Sequence, residues 1–103
     1  MSIAENLEKL LAGGKDDAML RFGLGSAYFN SKEYEKAIPH LQACLGHDPE
    51  YTAAFKLLGK ALFKTGNDNE ARKVFETGLP VAVKKGDKQT EKEISVFLKK
   101  LSK

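Results

Sequence analysis

Tryptophan is missing from this 103-residue chain, cysteine occurs once, and proline three times. The lone Cys44 excludes an intramolecular disulfide. It sits among Leu41, Ala43 and Leu45 at a small-residue position of a predicted helix, where a buried structural thiol is expected. So few prolines argue against a disordered or fibrous chain. No apolar run approaches the ~20 residues that span a bilayer. The start, Ser2-Ile3-Ala4-Glu5-Asn6-Leu7-Glu8, lacks the basic and long apolar segments of a secretory signal, so a cytoplasmic location is expected. Only two histidines are present, His40 and His47. No Cys, Asp or Glu cluster completes a metal site with them, and Gly13-Gly14 lacks the Lys-Ser/Thr of a phosphate loop. Catalysis, a metal and a cofactor are therefore not expected.

Charge is unevenly spread. Residues 1–51 carry five Lys/Arg against eight Asp/Glu, and residues 52–103 carry twelve against six. An acidic front and basic rear would steer an acidic partner to the C-terminal half, or favour head-to-tail self-contact. Nucleic acid is not the expected partner. The last helix mixes Glu91 and Glu93 among its lysines, with no arginine-rich or aromatic-interleaved stripe.

What the chain does have is self-similarity. Leu24, Gly25, Ala27, Phe29, Ala37 and Leu45 recur as Leu58, Gly59, Ala61, Phe63, Ala71 and Leu79, each 34 residues on. A fixed period of that length, built from small and apolar residues, predicts stacked helix-turn-helix units, here residues 18–51 and 52–85. The segment 3–12 fits the same register as a half repeat. Ile3, Ala37 and Ala71 are equivalent, as are Leu7, Leu41 and Phe75, and Leu11, Leu45 and Leu79. Residues 88–101 carry Ile94, Phe97, Leu98 and Leu101 on one face and read as a solvating cap. The predicted fold is one all-α domain of about six helices.

Helix boundaries follow from local chemistry. Ser2 with Glu5 is a capping-box pair, and Gly13-Gly14 ends the first helix. Asp16 or Asp17 caps the second, which runs to about Asn30. A partner helix spans about Tyr34 to Gly46, and Asp48-Pro49 opens the next pair, predicted helical over 50–64. Asn67 with Glu70 is the cap pair expected before the following helix. Lys85-Gly86-Asp87 reads as helix end, left-handed glycine and new cap. Pro39 is near enough to its helix start to be tolerated, whereas Pro80 predicts a kink. Gly25 and Gly59 lie inside helices, where glycine costs ~1 kcal/mol relative to alanine. Their recurrence predicts a close helix crossing, with Ala37 and Ala71 as the facing small residues.

These residues resemble the tetratricopeptide repeat family. Leu24-Gly25, Tyr28, Ala37 and Pro49 match its signature in the first repeat, and Phe55, Leu58-Gly59, Ala71 and Phe75 match it in the second. Arg21, Leu62 and Val83 depart from the pattern; Val83 replaces a closing proline, so the outer helix of the second repeat should run long. The resemblance implies a right-handed superhelix of antiparallel hairpins, whose first helices line a concave groove for a protein or peptide partner. Met19, Phe22, Ser26, Phe29 and Asn30 from the first repeat would project into it. Ala53, Lys56, Lys60, Phe63 and Lys64 would do so from the second. The lysine clamp by which some members hold a chaperone carboxylate is not expected, because Phe22, Ser26 and Leu57 occupy the matching positions.

Lys56, Lys60 and Lys64 recur every fourth residue and form one ammonium row, which calls for an anionic answer. With Phe22, Phe29 and Phe63 as apolar anchors, the row suits a segment carrying acidic and apolar side chains. The plainer alternative is a solvated lysine face with Phe29 and Phe63 partly in the core. A self-associating dimer is a second reading, if Leu7, Leu10 or Phe97 is left uncovered.

Overall fold

The computed structural model describes residues 2–102, and every regular element among them is a helix. In chain order these are α1 (Ile3–Ala12), α2 (Ala18–Asn30), α3 (Tyr34–His47), α4 (Thr52–Lys64), α5 (Asp68–Lys85) and α6 (Lys88–Leu101). Each helix packs against the next, and α2 also touches α4 as α4 touches α6. The odd-numbered helices do not meet one another. The even-numbered layer is thus the tighter, inner side of the curve, and the odd-numbered layer fans outward. The stack measures 42 × 28 × 18 Å.

Most helix ends follow the sequence. Ser2 and Glu5 form the reciprocal capping box of α1. Asp17, not Asp16, caps α2 by accepting from the Leu20 N–H at 2.8 Å. Gly86 closes α5 in the left-handed region, and Asp87 accepts from the Thr90 N–H to start α6. Three details differ. The fourth helix begins at Thr52, so Pro49 lies in the turn before it and not in its first turn. Asn67 makes no capping bond; its amide donates instead to Thr65 Oγ1 at 2.9 Å. The α2–α3 and α4–α5 turns both need a left-handed residue, supplied by Gly66 in one and by Lys32 (φ 62°) at the equivalent position of the other. A non-glycine residue there costs ~1 kcal/mol.

The outer helix of the second repeat is indeed long: α5 spans 18 residues, unbroken through Pro80, against 14 for α3. The turn after it shrinks to Gly86 and Asp87. As a result α2, α4 and α6 begin at Ala18, Thr52 and Lys88, and α6 takes the place of a third inner helix displaced by two residues.

The core interlocks by notch and knob. A methyl placed on Gly25 would lie 2.6 Å from Leu41 Cγ, and one on Gly59 only 2.2 Å from Phe75 Cε1. The glycines therefore receive Leu41 and Phe75 directly. Ala37 and Ala71, expected opposite them, are fully buried one turn earlier on α3 and α5. A reverse notch, unread in the sequence, seats Phe55 of α4 on Gly78 of α5. Burial pushes the Cys44 thiol up to about 11, as befits a packing residue.

Where repeat two has Phe55, repeat one has Arg21, and a polar network replaces the ring. Asp16 accepts from Arg21 Nε at 2.8 Å and from His47 Nε2 at 2.9 Å, which holds its carboxyl far below the usual range. Tyr28 donates to Glu8 of α1 at 2.7 Å, an acceptor that raises its hydroxyl to about 12. Arg21 Nη1 lies 3.1 Å from His40 Nδ1. Arginine can only donate, so His40 must accept there and be neutral. Burial lowers the His40 pKa first; the Glu8 charge at 3.9 Å opposes this and Arg21 adds to it. Because the folded pKa lies below 6.5, the unfolded chain holds more protons between the two values. Stability should thus fall as pH drops below about 6.5, with α1 held by Glu8 alone on that side. Thermal melts of a His40→Gln variant, which keeps an acceptor for Arg21, should show that part of the pH dependence flattened.

Candidate protein-interaction surface

The inner layer carries the residues that the sequence nominated, and it treats them unequally. Met19 near the start of α2 is 76% exposed, and Asn30 closes the helix exposed to solvent. Phe22 is half-buried against Tyr51, with ring centroids 4.9 Å apart. Phe29 meets Tyr34 edge-on at 5.2 Å. Ser26 and Ala53 are half-buried on the same layer.

On α4 the lysine row is split. Lys56 Nζ lies 3.3 Å from Glu93 Oε2 and Lys60 Nζ 3.1 Å from Glu93 Oε1. One carboxylate from α6 thus spans two ammonium groups set one helical turn apart. Partial burial works against the ionised form of Glu93, but the Lys60 hydrogen bond and the Lys56 charge outweigh it and hold its pKa below the ordinary value. Lys64 is exposed at the end of α4, beside an open cleft shared with Lys32, Glu33, Tyr34 and Lys36. Phe63 packs edge-on to Phe97 of α6 at 5.7 Å, and Phe97 also stacks on Phe75 at 5.3 Å. Lys60 and Lys100 both sit over the Phe97 ring. Phe97 is therefore covered by its own chain and offers no end-face surface.

The sequence did not reveal Glu93 and Phe97 as members of this cluster. Both lie beyond the repeat of 34, and the two-residue displacement of α6 hides their alignment with α4. The signal available was the lysine row itself, which asked for a carboxylate.

Residues 31–87, more than half of the chain, match a family model described as tetratricopeptide repeat, and residues 4–46 match a second one of that description. The chain belongs to the tetratricopeptide repeat family. A TPR repeat-containing protein, PA0015 of Pseudomonas aeruginosa, is 53% identical over 97 residues, 94% of this chain and 92% of that one. The solution structure of protein BPP2914 from Bordetella parapertussis superposes with a TM-score of 0.84 at 44% identity, over 99% of this chain and 89% of that one. The crystal structure of MamA gives 0.71 at 23% identity, over 95% and 64%. That last likeness concerns the fold alone. Tetratricopeptide repeats generally mediate protein–protein interaction and are generally non-catalytic, and this chain carries two of them with a flanking helix at each end. Among the described residues no helix is long and apolar enough to cross a membrane.

Proposed function

We propose that this tetratricopeptide repeat protein is a non-catalytic adaptor of the cytoplasm, whose inner layer holds an extended or helical segment bearing acidic and apolar side chains. The observation that supports this reading is the Glu93 carboxylate bridging Lys56 and Lys60. Two ammonium groups one helical turn apart make a receptor for a single carboxylate, and a partner's Asp or Glu would compete for it. Lys64, Met19 and Asn30, all exposed, extend the surface at either side. The partly buried rings of Phe22, Phe29 and Phe63 give it apolar ground.

A labelled synthetic helix with glutamates and leucines on one face is the probe. Lys56→Glu/Lys60→Glu should weaken its binding ~10-fold or more, about the effect of one lost charge-assisted contact. That variant also repels Glu93 and loosens α6, so Glu93→Gln is the sharper test. It leaves both lysines in place and removes their internal competitor, and the probe should bind more tightly, more so at low salt. Affinity unchanged in both variants would refute the reading.

A further inference from the structure

We propose that the α1–α2 end of the stack is a homodimer interface, in which α1 of a second copy packs antiparallel on α1. The argument is independent of the inner-layer site. Ile3, Leu7 and Leu10 are the register equivalents of Ala37, Leu41 and Cys44 in one repeat and of Ala71, Phe75 and Gly78 in the next. All six of those equivalents are buried. On α1 the same face is open: Ile3 is 71% exposed, Leu10 48%, and no residue of the helix is fully buried. A large aliphatic stripe therefore stands where both full repeats bury theirs against an inner helix.

The neighbouring surface of α2 belongs to the same trough. Ala27 lines a cleft of about 500 Å³ with Ile3, Ala4 and Asn30, while its equivalent Ala61 is fully buried. Met19 stands exposed near the start of α2. The opposite end of the stack differs in kind. The outer face of α6 presents Lys88, Glu91, Lys92, Ser95 and Lys99, the polar finish that a terminal repeat needs. Only the α1 end is left apolar.

Self-pairing satisfies that end better than a head-to-tail chain. Seating α6 on α1 would press lysines against Ile3 and Leu10 and desolvate them without partners. Two copies of α1 crossing antiparallel about Leu7 instead set Ile3 near Leu10 and Leu11 of the mate. The same operation brings Lys9 beside the mate's Glu5 twice, because opposite charges four residues apart are self-complementary about a two-fold axis. The basic C-terminal halves then point away from each other. A contact of this symmetry closes at two subunits. A ten-residue helix is ~15 Å long, so the area buried falls below the ~800 Å² per partner of standard complexes, and the dimer is weak.

Sedimentation equilibrium from micromolar to millimolar protein tests this. The average mass should rise from 11.3 kDa toward twice that value and stop there. Ile3→Glu/Leu10→Glu should weaken association ~10-fold or more while keeping helicity and melting temperature, since both side chains are exposed. Asn6→Cys, an exposed thiol beside the crossing point, should give a disulfide-linked dimer on oxidation, with Cys44 buried and silent. A chain that stays monomeric at millimolar concentration overturns the proposal and leaves the face to a different protein. Mass growing past the dimer, or association unchanged in the double Glu variant, overturns it equally. A dimer that Asn6→Cys fails to cross-link refutes the antiparallel pairing.

Discussion

Phe75→Ala should bring this protein close to the limit of folding. Phe75 is fully buried, lodged in the Gly59 notch of α4 and stacked on Phe97 of α6, so one ring ties three helices together. Removing a buried phenyl ring costs ~3–5 kcal/mol through lost transfer energy and the cavity left behind. A domain of this size holds only ~5–15 kcal/mol in total. Urea unfolding should show the midpoint falling by about the same fraction as the stability, with the slope preserved if the native state remains compact. A loss below ~1 kcal/mol would mean that α4, α5 and α6 are held by something other than this ring.

Gly59→Ala should destabilise although alanine is the better helix former. The added methyl would lie 2.2–2.7 Å from three atoms of the Phe75 ring, which is enclosed and has nowhere to swing. Overpacking of that kind costs ~1–3 kcal/mol, enough to exceed the ~1 kcal/mol that the helix gains. Phe75→Leu should partly rescue it, because a smaller side chain frees the notch. The double-mutant cycle should give a favourable coupling of ~1 kcal/mol or more. Gly46→Ala is the control. A methyl there meets nothing within 4 Å, so the same substitution should be neutral or stabilising by a few tenths of a kcal/mol. Equal effects at Gly46 and Gly59 would contradict the notch.

The repeat of 34 made the helices legible, because a stacked fold repeats its small residues wherever backbones approach. Gly25 and Gly59 were readable as close crossings for that reason. Their actual partners were not, since Leu41, Phe75 and the alanines share one helix face and sequence spacing alone cannot say which fills the notch. Asn67 shows a similar limit: a good cap residue in principle, it bonds to Thr65 because that hydroxyl lies nearer. The lysine row was visible as a charge pattern, and the residues proposed to line the groove lie on the inner layer. Their exposure could not be read in advance, since it depends on how far each side chain is covered by the neighbouring helix.

By itself, the sequence determined the number and order of the helices, the half repeat at the front and the length of α5. Those follow from local rules: caps, turn residues, and a periodic stripe that must be buried. Tertiary structure alone decided that α6 would slip by two residues into the inner layer, lay Glu93 across Lys56 and Lys60, and cover Phe97. It decided too that Ile3 and Leu10 would stand uncovered. These outcomes depend on distances between helices far apart in the chain, which are set by packing volumes and not by any spacing along it.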